Sequence, residues 1–162
     1  MSTRAQELAL RLKAFNDRLV ALVTAAGDDA WRRSTDSEKW RVGAVARHVG
    51  ATHYRIVELA KMMVAGLPVP EVKEEAILAR NEAQAAKHAA CTKAEVIAIL
   101  ESNGRAMVDF VAALSDADLA RNADLPAFGG KISVQRLFEA IVLHSAGGHL
   151  ESLEQTLARR EG

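Results

Sequence analysis

The sequence is poor in several residue types, and each shortage excludes a class of protein. Its 162 residues include one cysteine, three prolines and one tyrosine. A single cysteine, Cys91, excludes an internal disulfide. The shortage of proline, and the lack of any run of alternating β-branched residues, disfavour a mainly β fold and favour helices. At this length we expect one domain, residues 1–162, with a sizeable core.

The chain also lacks net charge and long apolar runs. Lysine plus arginine and aspartate plus glutamate both number 21, so the formal net charge is zero. Neutralising nucleic-acid phosphates requires a basic surplus, and a membrane span requires about 20 apolar residues, which no stretch approaches. The start, MSTRAQELALRLKAF, carries charges throughout and has no apolar signal segment. We therefore expect a cytoplasmic protein with neither nucleic acid nor membrane as a partner.

What the sequence does contain is apolar residues at helical spacing. They recur at three- and four-residue steps over about residues 3–25, 41–65, 92–114 and 134–159, and a more polar helix is predicted over 71–89. Thr92 with Glu95 forms a capping box, and Ser133 is a suitable N-cap for the last helix. Four long amphipathic helices predict an all-α fold, a four-helix bundle with long connections.

The candidate functional residues are histidines, of which there are five. At about 100° per residue, His53 falls inside the apolar stripe of the second helix, whereas His48 falls at its edge. Periodicity alone therefore indicates that His53 is the buried one, and the simplest interpretation is a hydrogen-bonded core histidine. His88 lies on the polar helix among alanines and a lysine, so it is predicted to be solvated.

The stretch HSAGGH in the last helix places His144 and His149 on either side of Ser145 and two glycines. Five residues apart, the two rings would diverge by about 140° on a regular helix. A metal-binding pair on a helix prefers a spacing of four, as in HExxH. A single π-bulge would insert one residue and bring the rings together, and Gly147 and Gly148 are where the backbone deforms most easily.

Three runs of the sequence resemble the DinB-like superfamily of four-helix bundles. KWRVGAVARHVGATHYRIVEL resembles its first signature, a tryptophan (Trp40) followed eight residues later by a histidine (His48). The region from ILARNEAQ to LSDADLAR is similar to the central part of the superfamily, and ISVQRLFEAIVLHSAGGHLESLEQ is similar to its last helix. The resemblance covers about residues 5–158 and implies the same bundle fold.

The resemblance also implies a metal site. In this superfamily a divalent metal, typically zinc or nickel, is held by one histidine of the second helix and two ligands of the last helix, usually four residues apart. The first position falls on His48. Aligned from its start, the last helix supplies His144 and then Gly148; aligned from its end, it supplies His149 and Ser145. The chain thus departs from the pattern by one residue, and we predict a bulged site of His48, His144 and His149.

The function implied by the resemblance is that of a metal-dependent enzyme acting on a small molecule. Members with known activity include thiol-dependent transferases and isomerases and some hydrolases, so a low-molecular-weight thiol is among the candidate partners. Three neutral imidazoles would leave open positions on zinc or nickel for water or a thiolate. The superfamily's bundles are often homodimers. The alternative is a metal-free, non-catalytic dimeric bundle that acts as a binding or stress-related protein.

Overall fold

A computed structural model describes residues 3–159, and its long helices follow the amphipathic segments. The helices are α1 (Arg4–Ala25), α2 (Asp28–Trp31), α3 (Val42–His48), α4 (Ile56–Ala65), α5 (Glu74–Lys87), α6 (Lys93–Ala112), α7 (Asp116–Leu119), α8 (Val134–Phe138) and α9 (Gly147–Ala158). The first π segment (Val49–His53) follows α3, and the second π segment (Glu139–Ala146) joins α8 to α9. Within residues 3–159, no helix combines the length and apolar content needed to cross a membrane.

Four bundle helices enclose the core. The first is α1, the second runs from α3 through the first π segment to α4, the third is α6, and the fourth runs from α8 through the second π segment to α9. Helix α1 packs along α6, α3 packs against α6 and α9, and α4 packs against α8. The all-α four-helix bundle predicted from the apolar periodicity is therefore confirmed.

The helix starts chosen from the sequence are confirmed by their caps. The Thr92 hydroxyl accepts a hydrogen bond from the Glu95 backbone N–H (3.1 Å), and the Glu95 carboxylate accepts one from the Thr92 N–H (3.0 Å). The Ser133 hydroxyl accepts a hydrogen bond from the Arg136 N–H at 3.1 Å. Each cap satisfies N–H groups that would lack an intrahelical partner, so these boundaries are set locally.

Two regions differ from the simple four-helix prediction. Helix α5 lies outside the bundle against α3, and Ala85 is its one residue that is fully buried. The connector before the last helix forms an antiparallel hairpin of β1 (Asn122–Leu125) and β2 (Gly130–Ser133). Four-residue strands are too short to show a periodic pattern, so the sequence did not indicate them. Gly129 and Gly130 reverse the chain with positive φ values of 97° and 105°.

A buried polar network ties three bundle helices together. The Tyr54 hydroxyl donates to Asn16 Oδ1 at 2.7 Å, and Asn16 Nδ2 donates to the Leu100 carbonyl at 3.0 Å. Asn16 lies in α1, Leu100 in α6, and Tyr54 directly after the first π segment. Because a buried polar group without a partner costs about 1–3 kcal/mol, the three groups are held in one arrangement.

The first π segment is shaped by its contacts with α6. The Tyr54 N–H donates to the Val49 carbonyl, five residues earlier, at 3.1 Å. The Gly50 carbonyl accepts a hydrogen bond from Asn103 Nδ2 at 3.0 Å. A Cβ on Gly50 would lie 2.9 Å from a methyl carbon of Leu100, so glycine is what allows this close approach. The widened turn is therefore bonded to α6 as well as within itself.

Two helical glycines should respond in opposite ways to alanine. In Gly104→Ala the new Cβ would collide with the Asn16 side chain and disturb the buried network, so we expect a loss of about 1–3 kcal/mol of unfolding free energy. In Gly148→Ala the new methyl group meets nothing within 4 Å, so we expect a gain of about 0.5–1 kcal/mol from helix propensity. Urea unfolding followed by circular dichroism measures both. A stable Gly104→Ala variant would contradict the role given to Asn16.

Candidate metal centre

Three histidines converge inside the bundle, and two of them belong to the predicted set. One ring nitrogen each from His48, His53 and His149 lie within 4.8 Å of one another. The ring centroids are 4.7 Å apart for His48 and His53, 5.3 Å for His48 and His149, and 5.1 Å for His53 and His149. The third member of the cluster is His53, and not the predicted His144. The apolar periodicity had indicated His53 as a buried core residue.

The first π segment explains how His48 and His53 meet. On an α-helix, residues five apart diverge by about 140°, so these two rings would face different directions. In a π turn the backbone hydrogen bond joins residues five apart, as it does between Tyr54 and Val49, and side chains at that spacing stack. A π turn was expected to bring two histidines together in the last helix. The structure shows a π turn doing so in the second bundle helix, for His48 and His53.

His144 does not join the cluster. The last helix does contain a π segment, but it ends at Ala146, before the helix reaches His149. Val142 and Ala146 are fully buried, and His144 lies two residues from each, on the opposite side of the helix and exposed. The structure therefore places His144 apart from His48 and His149.

A carboxylate from the loop before α3 forms a hydrogen bond with His149. Glu38 Oε1 lies 2.9 Å from His149 Nδ1, and Glu38 Oε2 accepts a hydrogen bond from the Ser152 hydroxyl at 2.7 Å. Lys39, the next residue, has φ of 63°, a conformation that non-glycine residues seldom adopt. Glu38 was not among the residues predicted from the sequence, because its polar loop has no periodicity that would show which carboxylate turns inward.

Glu38 is ionised, and its charge determines which nitrogen of His149 is free. Burial by itself would raise the pKa of Glu38, but hydrogen bonds from His149, Thr35 and Ser152 lower it to about 2. A carboxylate can only accept, so Nδ1 of His149 carries the shared proton. In the neutral ring the unprotonated nitrogen is then Nε2, which is the form that can bind a metal.

Burial keeps the other two rings neutral. Loss of hydration, together with smaller contributions from the neighbouring His149 and Arg80, lowers the pKa of His48 to about 4. Loss of hydration likewise lowers the pKa of His53 to about 3, with smaller contributions from His48 and His149. Nδ1 of His53 is buried without a hydrogen-bond partner in the described part of the chain. Two uncharged imidazoles, one of them with an unpartnered ring nitrogen, are donors of the kind that a divalent metal requires.

Trp40 packs against two of the three histidines, and two glycines begin the helix that carries His149. The Trp40 ring lies edge-on to His48 at 5.3 Å and roughly parallel to His149 at 6.5 Å. Its Nε1 donates to a carboxylate oxygen of Glu82 in α5 at 3.2 Å. By contrast, a Cβ built on Gly147 would meet nothing within 4 Å, and Gly148 is equally open. An aromatic ring therefore covers one side of the cluster, and the first two residues of α9 leave room for side chains that they lack.

The donor set fits a divalent metal. Zinc–nitrogen bonds are about 2.0–2.1 Å long, so two nitrogens on one zinc lie at most about 4.2 Å apart. The candidate nitrogens lie within 4.8 Å, and the rings would draw in by on the order of 1 Å. Glu38 supplies the carboxylate that commonly hydrogen-bonds the outer nitrogen of a metal-binding histidine.

The metal-free protein should lose stability in mild acid. Between pH 6.5 and about pH 5 the unfolded chain protonates His48 and His53 while the folded chain does not, so acidification destabilises by about 2 kcal/mol per histidine. The Glu38 contribution is lost only below its ordinary pKa of 4.5. Urea unfolding with a chelator present should show that His53→Gln removes about half of this pH dependence. If the unfolding free energy of His53→Gln changed with pH as steeply as that of the wild type, the low pKa of His53 would be contradicted.

Comparison with known proteins agrees with the bundle and supplies the family. The structure is similar to that of YfiT from Bacillus subtilis, described as a probable metal-dependent hydrolase with an unusual four-helix bundle topology. The TM-score is 0.77 at 12% sequence identity, over 96% of this chain and 88% of that one. No curated protein sequence matches the chain. The sequence model of the DinB superfamily matches residues 11–152, and the chain therefore belongs to the DinB superfamily.

Proposed function

We propose that this protein is a divalent-metal-dependent hydrolase that acts on a small molecule, with His48, His53 and His149 as the metal ligands. The observation that carries the proposal is the convergence of three imidazoles, one of which is oriented by the partly buried carboxylate of Glu38. The description of YfiT as a probable metal-dependent hydrolase supports the same class of chemistry. Zinc and nickel both suit a site of neutral imidazoles.

The protein residues prepare the site for this chemistry. Glu38 keeps a proton on Nδ1 of His149 and so holds Nε2 available. Burial keeps His48 and His53 neutral at physiological pH, and Trp40 restricts the movement of the rings. A metal bound by these residues would act as a Lewis acid and lower the pKa of water at the site.

The metal-free alternative predicts a different hydrogen-bonding environment for the same histidines. If the histidines served only to pack the core, each buried ring nitrogen should have a hydrogen-bond partner, because burying an unpaired polar group is unfavourable. Nε2 of His53 lies 3.3 Å from the Ser145 hydroxyl, but Nδ1 of the same ring has no partner within residues 3–159. The unpartnered nitrogen, together with two neighbouring imidazoles, favours a metal site over a packed core.

The two candidate third ligands can be separated by a matched pair of variants. After incubation of tag-free protein with zinc or nickel and removal of free metal, mass spectrometry should find about one metal ion per chain in the wild type and in His144→Gln. His53→Gln should retain almost none, because two protein ligands bind a metal far more weakly than three.

The same experiment can overturn the assignment. Loss of metal in His144→Gln with retention in His53→Gln would restore the site predicted from the sequence. A wild type that binds no metal would contradict the proposal and leave the metal-free bundle as the interpretation. Circular dichroism of each variant shows whether a loss of metal follows from a loss of fold.

Neutralising Glu38 should weaken the site without removing a ligand. We expect Glu38→Gln to lower zinc affinity by about 10- to 100-fold, which is the usual effect of removing a hydrogen-bonded carboxylate from a metal-binding histidine. Asp36→Asn is the matched control, because Asp36 lies in the same loop and pairs with Arg159 at the surface. Competition with a chromogenic chelator measures both. Equal affinities for the two variants would contradict the role of Glu38.

A further inference from the structure

A cleft lies between α4 and α5, on the face of the second bundle helix next to the histidines. It consists of two adjoining cavities of about 560 and 270 Å³. Both cavities are lined by Arg55, Glu58, Leu59 and Arg80, which shows that they meet. We call this feature the α4–α5 cleft. None of the metal chemistry described above uses it.

The larger cavity is rich in positive charge. Arg47, Arg55 and Arg80 line it, against the single carboxylate of Glu58. Within residues 3–159, none of the three guanidinium groups takes part in an ion pair. Glu58 instead lies 3.5 Å from Lys61 at the surface. Three cations face one cavity without anionic partners, and a planar guanidinium is the side chain best suited to bind carboxylate or phosphate oxygens in pairs.

Apart from the charged residues that it shares with the larger cavity, the smaller cavity is lined mainly by apolar side chains. Its lining joins α4 and α5 to the turn between the two strands, and includes Leu59, Met62, Ile77, Leu125 and Phe128. Burying the hydrocarbon part of a ligand there would be favourable by about 25 cal/mol per Å² of apolar surface removed from water. An apolar cavity with a few convergent charged groups is the usual form of a small-molecule site.

The cleft adjoins the metal centre through the first π segment. Ala51 and Thr52 line the larger cavity, and they lie between His48 and His53 in the chain. Arg80 is also close enough to His48 for its charge to act on that ring. A molecule held in the cleft would therefore lie beside the segment that carries two of the three imidazoles.

We infer that the α4–α5 cleft binds a small molecule that joins a carboxylate or phosphate group to an apolar body, and that such compounds are the substrate class of the metal centre. The arginines take the anionic group, and the smaller cavity takes the apolar body. The assignment to substrate rests on the function proposed above, whereas the binding itself depends only on the cleft.

Methionine methyl groups provide a local probe of binding. In protein labelled with ¹³C at the methionine methyls, Met62 reports on the smaller cavity, while Met107 is fully buried in the core and serves as an internal control. Hexanoate and hexyl phosphate, added up to tens of millimolar, should shift the Met62 signal and leave Met107 unchanged. Hexanamide has the same apolar body without the charge and should shift Met62 much less. A stronger response to one anion identifies the preferred anionic group.

Two variants test the arginines. Arg55→Gln/Arg80→Gln should weaken binding of both anions by about ten-fold or more, because charge-assisted hydrogen bonds are lost. Arg105→Gln is the control, because Arg105 lies in the groove between α1 and α6. It should change the affinity for both anions little. Failure of both anions to shift Met62, equal shifts with hexanamide, or unchanged binding by the double variant would each overturn the inference.

Metal content measured on the same samples separates this inference from the proposed function. The Arg55→Gln/Arg80→Gln variant should keep its full metal content, because neither arginine is a ligand. Metal binding without anion binding would refute the cleft alone. Anion binding in a wild type that takes up no metal would refute the metal centre and leave a binding cleft with no hydrolytic role.

Discussion

Two histidines five residues apart on one helix can face the same point only where the helix departs from α geometry. The first π segment makes that departure between His48 and His53, and the rest of the candidate centre depends on it. The widened turn is held from outside, by Asn103 on the Gly50 carbonyl and by the hydrogen bond from Tyr54 to Asn16. The bundle core and the candidate metal centre are therefore parts of one hydrogen-bonded arrangement.

The electrostatics of the cluster follow from its burial. Removing His48 and His53 from water disfavours their charged forms, which leaves them neutral and able to donate lone pairs. Glu38 is partly buried as well, but three hydrogen bonds keep it ionised. An anion beside His149 and neutral rings elsewhere are complementary to a divalent cation. Without a cation, the same arrangement should make the folded state sensitive to mild acid.

The second bundle helix serves two neighbouring surfaces. One face carries His48 and His53 toward α9, and the adjacent face carries Arg47 and Arg55 toward α5. Helix α5 contributes little to the core, but it completes the α4–α5 cleft through Arg80 and fixes Trp40 through Glu82. Helix α5 therefore contributes mainly to the α4–α5 cleft and to the position of Trp40, and little to the core.

Features that depend on local chemistry could be predicted from the amino-acid sequence alone. The apolar periodicity and the caps at Thr92 and Ser133 predicted the bundle helices, because both act within a few residues. The resemblance to the DinB-like superfamily led to a predicted set of His48, His144 and His149, of which the structure brings together His48 and His149. Tertiary contacts place His53, and not His144, beside these two rings, since the position of a π turn depends on partners in other helices. The tertiary structure also selected Glu38, whose inward orientation depends on a loop folding against α9 and not on any pattern along the chain.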